Sequence, residues 1–192
     1  PQIVAAIRRA GAWLAAAGYL VEEVDPPRIA DAAGLWDLLS RNDNLNIMKP
    51  LVMAHGDDAI RTSFGHQFDG EPVLDADACL AALVRRTTLI REWSMFLERY
   101  PLILGPVSAE PPFAQTLDIE SRTSSRRVLA AQAPQFAIPV LGLPAISVPT
   151  GQVDGLPIGV QIIARRFRED MLLDAAEVIE AHDPCVAPID PR

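Results

Sequence analysis

Two short apolar runs constrain this chain more than any other feature. They are AISV (Ala145–Val148) and IGVQII (Ile158–Ile163). Both are rich in β-branched residues, which suit a pleated surface, and both are too short for helices. Between them stands PTGQVDGLP, which holds the Gly, Asp and Pro that turns need. The runs are nearly continuous rather than alternating, as in strands covered on both faces. In this reading Pro149, Gly151 and Gly155 shape the turn, and Gly159 allows a backbone to approach closely. A basic patch follows, then REDMLLDAAEVIE, which reads as a helix over 169–181. Its leading Glu169 and Asp170 favour a helix N-terminus, and Leu172, Ala175, Ala176 and Ile179 face inward.

The rest of the chain supplies covering helices. The spacing of Ile3, Val4, Ile7, Gly11 and Leu14 predicts an amphipathic helix over 2–17, with Gly18 as its cap and Tyr19–Val21 as a short strand. A second helix is expected over 29–41, with Leu35, Trp36, Leu38 and Leu39 inward. Residues 43–75 carry little pattern; they read as a helix near Leu45–Met53 and then a polar loop holding Gly65 and Gly70. The clearest helix covers 76–99, with Asp75 as N-cap and a stripe of Leu80, Leu83, Val84, Thr87, Ile90, Trp93, Leu97 and Tyr100. Pro101 ends it, and Leu102–Leu104 reads as a buried strand closed by Gly105 and Pro106. Residues 108–118 read as loop and about 120–132 as helix. The fold class is therefore α/β: a mixed, mostly buried sheet covered by helices. The 192 residues suit a single domain or one large piece of one, with 183–192 as a C-terminal tail.

Charge and cysteine content narrow the function. The net charge of −8 argues against free nucleic acid as a partner, since phosphate binding needs excess Lys and Arg. The paired arginines, such as Arg8-Arg9 and Arg85-Arg86, read as solvated helix faces. The 2 cysteines, Cys79 and Cys185, are too far apart for metal-type spacing or a disulfide framework. Cys79 reads as a small core hydrophobe. No apolar run is long enough to span a bilayer and no leader pattern is visible, so a cytoplasmic setting is expected. A chain beginning at Pro1 rather than Met is expected to have something before it.

The search for chemistry yields no catalytic set. There is no G-x-S-x-G elbow to present a nucleophile. Ser147 lies within a strand, and Ser124-Ser125 lacks flanking glycines; both read as structural. His55, Asp57, Asp58, His66, Asp69 and Glu71 cluster in sequence, but their spacing matches no metal-binding template. Lys49, the sole lysine, precedes Pro50 in a segment with no catalytic context. His182 reads as complementing a helix end. No phosphate-cradling or dinucleotide motif is present, so neither cofactor nor metal is expected.

A resemblance explains this absence. LGLPAISVPTGQVDGLPIGVQIIARRFREDMLLDAAEVIE, Leu141 to Glu180, resembles the C-terminal part of the amidase signature family. The matching positions are Gly142, Pro144, Ala145, Pro149, Thr150 and Gly151 in one strand, then Leu156-Pro157 and Gly159-Val160-Gln161, then Glu169-Asp170 and Leu172-Leu173. Upstream, AAIRRAGAWLAAAGYLVEEVDPP and REWSMFLERYPLILGPVSAEPPF are similar to that family's helix-strand units. Departures stand at Pro139, where relatives carry Asn, at Ala164, where a Gly often ends the strand, and at Gly105-Pro106-Val107, where Thr-Pro-Thr is common.

The resemblance implies a parent enzyme that hydrolyses a carboxamide to an acid and ammonia or an amine, through a Ser nucleophile, a second Ser on a cis peptide, and a Lys. All three lie N-terminal to the matched segments, so no catalytic residue is assigned here and the chain alone is expected to be inactive. The resemblance places two loops beside the substrate pocket: Gly105, Pro106 and Val107, and Ile138, Pro139, Val140 and Leu141. A non-catalytic binding or assembly module that keeps the fold is the alternative, and a metal-dependent protein using the His55–Glu71 cluster is a weaker third. Removing half of a sheet exposes apolar faces and strand edges, so self-association, or contact with an N-terminal half, is expected.

Overall fold

The computed structural model describes residues 1–182. The tail 183–192, with Cys185, lies outside the described residues. The chain forms two compact units. The first comprises Pro1–Pro26, Ser94–Pro112 and the described residues from Leu143; the second comprises Pro27–Trp93 and Phe113–Gly142.

The first unit is a small sheet covered by helices. Its strands are β1 (Leu102–Pro106), β2 (Ala145–Val153) and β3 (Leu156–Ala164), in the order β1-β3-β2. Both pairings are antiparallel, with Leu104 opposite Ile162 and Val148 opposite Val160. The even positions of β3 put Ile158, Val160, Ile162 and Ala164 on one face, since successive side chains alternate. Helices α1 (Gln2–Ala16) and α9 (Glu169–Glu180) lie on that face with Ala6, Ala10, Leu14, Leu172, Ala175 and Ile179. Alanines there let the helix backbones approach the sheet.

The β2–β3 hairpin is tighter than the sequence reading. The turn is only Asp154-Gly155, with φ of 52° and 78°, the positive pair that a two-residue hairpin loop demands. Pro149 and Gly151 do not belong to the turn. They sit in an irregularity within β2, between Pro149 and Gln152, where Gly151 takes φ 112°. Thr150, at that irregularity, is fully buried and donates from Oγ1 to the Ile158 carbonyl at 3.3 Å, while Arg9 donates to the Thr150 carbonyl. Arg9 is thus tied to the sheet rather than purely solvated. Gly159 faces the backbone of β2: a Cβ there would lie 2.8 Å from the Val148 carbonyl oxygen. Tyr19–Val21 does not form a strand; among the described residues it has no ladder partner, and Leu20 is fully exposed.

The second unit is helical. It holds α2 (Ile29–Asp43), a π-helical turn (Asn44–Met48), α3 (Lys49–His55), α4 (Asp58–Phe68), most of α5 (Ala76–Arg99), α6 (Leu117–Glu120), α7 (Arg122–Ala131) and α8 (Ala133–Leu141). The widened π turn carries the helical path past Pro50, whose missing N–H breaks the regular ladder. Where a polar loop is expected, α4 forms instead: Asp57 caps it, accepting from the Ile60 N–H at 2.8 Å, and Phe64 and Phe68 pair at 4.7 Å.

The long helix α5 has the expected bounds and cap, Asp75 accepting from the Ala78 N–H at 2.8 Å. Its buried stripe is shifted from the expected one. Ala82, Leu89, Trp93 and Leu97 are buried, while Leu80, Leu83 and Val84 are exposed. The helix carries apolar residues around most of its circumference, so spacing alone allows two stripes. Arg86 lies near the buried one and donates from Nε to the Val140 carbonyl at 2.5 Å. Helix α8 packs on α2, with Phe136 stacked on Trp36 at 4.1 Å and 3° between planes. Gly142, in the left-handed region, ends it by donating to the Ile138 and Pro139 carbonyls.

Candidate functional site

In the first unit, the expected pocket-bordering residues Gly105 and Pro106 end β1, and Val107 follows as a half-buried bend. Gly105 stands opposite Gln161 and Pro106 opposite Val160. Gln161 is buried, and its Nε2 donates to the Pro106 carbonyl at 3.2 Å, which fixes the exit of the strand. A Cβ on Gly105 would meet nothing within 4 Å, so open space lies beside this backbone.

In the second unit, Ile138, Pro139, Val140 and Leu141 are the last turn of α8 rather than a loop. Pro134 is tolerated at the helix start, where an N–H has no partner anyway, and the helix continues through Pro139. Ile138, Val140 and Leu141 are buried, and Pro139 is exposed.

The acidic and histidine residues of 55–71 do not converge. Asp57 caps α4, Asp58 pairs with Arg61 at 3.5 Å, and His66 Nδ1 lies 3.1 Å from the Asp118 carbonyl. Asp69 pairs with Lys49 at 3.1 Å, and Glu71 pairs with Arg41 and Arg126. Among the described residues, no group of three His, Cys, Asp or Glu is placed to hold a metal ion. Cys79 is half-buried and accepts from Asn42 Nδ2 at 3.1 Å. His182 lies 2.8 Å from the Val178 carbonyl through Nδ1 and stacks on Trp13 at 5.0 Å. Ser147 is exposed on β2, opposite Gln161.

One cavity in the second unit escaped the sequence reading. It measures about 260 Å³ and lies between α4, the loop from Phe113, and α7. Gln67, Asp118, Ser125 and Gln132 are among its lining residues, with Phe113, Leu117 and Leu129 among the apolar ones. Ser125 is 1 % exposed, and its buried Oγ makes no hydrogen bond among the described residues. A helical Ser would ordinarily bond back to the carbonyl four residues earlier. The Ser121 carbonyl accepts the Ser125 backbone N–H at 2.9 Å, as in any helix, and Ser121 Oγ lies 2.9 Å from Ser124 Oγ.

Charge at the surface is held by local ion pairs. Asp31 is lowered from the ordinary carboxylate range, chiefly by its hydrogen bond with Arg28. Asp170 is lowered in the same way by Arg168, with 2.9 Å from Nε to Oδ1. None of the helices among the described residues is long and apolar enough to cross a membrane.

The fold is a small antiparallel sheet covered by helices, with a Pro-Thr-Gly irregularity in β2 and a glycine-dependent hairpin. The family model described as Amidase matches residues 1–173, and the chain belongs to that family. It is 35% identical over 181 residues to an indoleacetamide hydrolase of Bradyrhizobium japonicum, covering 94% of this chain and 39% of the relative. It is 34% identical over 214 residues to a 6-aminohexanoate-cyclic-dimer hydrolase of Paenarthrobacter ureafaciens, covering 97% of this chain and 41% of that protein. The solved structure of a 6-aminohexanoate cyclic dimer hydrolase complexed with substrate superposes with a TM-score of 0.75 at 27% identity, over 96% of this chain and 42% of its own. The chain thus spans about two fifths of the length of these relatives.

Proposed function

We propose that the intact protein is an amidohydrolase that cleaves a non-peptide carboxamide to an acid and ammonia or an amine. The observation that carries this reading is the family match across residues 1–173, together with a relative named as an indoleacetamide hydrolase over 94% of the chain. In this reading the nucleophilic Ser, the second Ser on a cis peptide and the Lys come from residues N-terminal to those matched here. This chain contributes the sheet and its covering helices. Ser124, Ser125 and Lys49 take no catalytic part. The exposed ion pair of Lys49 with Asp69 supports that, because the lysine is held at the surface by a carboxylate.

Gly105, Pro106 and Val107 border the substrate pocket of the intact protein. The open space beside Gly105 supports this, since a ligand can approach the main chain there. Ile138, Pro139, Val140 and Leu141 at the end of α8 are a second proposed set of substrate-contacting residues, carried by the family likeness, with Pro139 as the exposed member. No metal or cofactor takes part.

The test is ammonia release from indole-3-acetamide and a panel of simple carboxamides, measured on the intact protein and on this chain alone. Release by the intact protein and none by the chain is the expected outcome. No release by the intact protein from any amide would overturn the enzyme reading and favour a binding or assembly role. Release by this chain alone would overturn the placement of the catalytic groups.

A further inference from the structure

We infer that the outer face of α5 is a homodimer interface, in which two copies of the intact protein pair these helices antiparallel about Val84. The inference concerns assembly and is independent of the amidohydrolase reading.

Helix geometry defines the face. An α-helix turns by about 100° per residue, so residues seven apart return to nearly the same side. Asp77 and Arg91 each stand seven residues from Val84 and share its side. Leu80 and Thr88 lie four residues to either side of Val84, and Ala81 and Thr87 lie three. Every member of this stripe is exposed, with Leu80 and Val84 each at 62 %. Leu80, Val84 and Thr87 belong to the stripe whose spacing predicts burial, and the structure turns it outward. The stripe asks for no polar partner between its ends. Thr87 and Thr88 donate their hydroxyls to the Leu83 and Val84 carbonyls of the same helix, at 3.2 and 3.4 Å.

Charge selects the occupant. Neither Asp77 nor Arg91 has an ion-pair partner among the described residues, and no charged residue stands between them on this face. A parallel pair of these helices would set Asp77 against the partner's Asp77 and Arg91 against the partner's Arg91, which is repulsive at both ends. Antiparallel pairing about Val84 sets Asp77 opposite the partner's Arg91. Two-fold symmetry repeats that contact at the other end, so a second copy of this chain supplies both complements. In the same register Leu80 meets the partner's Thr88, and Val84 meets the partner's Val84 on the axis. The small Ala81, Thr87 and Thr88 let the two helices approach closely.

The test is sedimentation of the intact protein across a concentration series, for the native protein, Asp77→Arg, Arg91→Asp and the double variant. Val84→Cys and Leu80→Cys are compared with the native protein for disulfide cross-linking under mild oxidation. The expected result is a dimer that each single reversal weakens about tenfold and the double reversal restores. V84C is expected to cross-link to its own copy. L80C is not, because the two copies of position 80 lie roughly 12 Å apart along the paired helices, at 1.5 Å per residue. A protein that is monomeric at every concentration overturns the proposal. So does a dimer indifferent to the single reversals, a double variant that does not recover, or cross-linking by L80C in place of V84C. A monomer whose V84C also resists a thiol reagent overturns it by assigning the face to the rest of the intact protein. Ammonia release from carboxamides, read on the same samples, reports on the amidohydrolase reading separately.

Discussion

Gly159 lies where two strands meet with no room for a side chain. Its absent Cβ would stand 2.8 Å from the Val148 carbonyl oxygen, a backbone atom that cannot swing aside. Gly159→Ala is therefore expected to destabilise the protein by about 1–3 kcal/mol, the range for overpacking, seen as a lowered midpoint in chemical denaturation. An unchanged midpoint would mean that the strands separate at no cost. This requirement was legible in the sequence, because a Gly inside an Ile- and Val-rich run has few other uses. Ser125 was not legible. Its burial depends on α4 and the Phe113 loop closing over α7, and nothing in RTSSRR reports what folds against it.

Among the elements, α9 shows how a terminus is tuned. Asp170 stands in its first turn, and its hydrogen bond with Arg168 lowers its pKa below the ordinary carboxylate value. A carboxylate with a lowered folded pKa stabilises the fold above its unfolded pKa and loses that contribution as pH falls through the folded value. Asp170→Asn is thus expected to lower Tm near neutral pH and to leave Tm little changed in strong acid. Parallel Tm curves for the two proteins down to the lowest pH would contradict this assignment. The bounds of α1, α5 and α9 could be read from caps and periodicity. Helix α4 could not: His, Gln and Gly within it look like loop composition, and the Asp57 cap and the Phe64–Phe68 pair decide the matter. Helix α8 was hidden by Pro139, which reads as a breaker until packing of α8 on α2, through Phe136 and Trp36, outweighs it.

At the scale of the whole molecule, exposed apolar side chains bear on association. Leu20, Ile47, Leu51 and Val84 are each at least half exposed. Burial of such groups is worth roughly 25 cal/mol per Å² of apolar surface removed from water. This chain alone is therefore expected to self-associate, with light scattering at high concentration giving a mass above 20.8 kDa. A monomer under those conditions would sink this expectation. The sequence by itself determined the hairpin, its glycine requirement, the main helices and the family, because turn chemistry, periodicity and a long connected motif are local along the chain. Tertiary structure decided which stripe of α5 is buried, whether α4 and α8 exist as helices, and that Ser125 of α7 is buried. Those outcomes depend on which distant segments pack together, and that burial can outweigh local preferences worth only a fraction of a kcal/mol per residue.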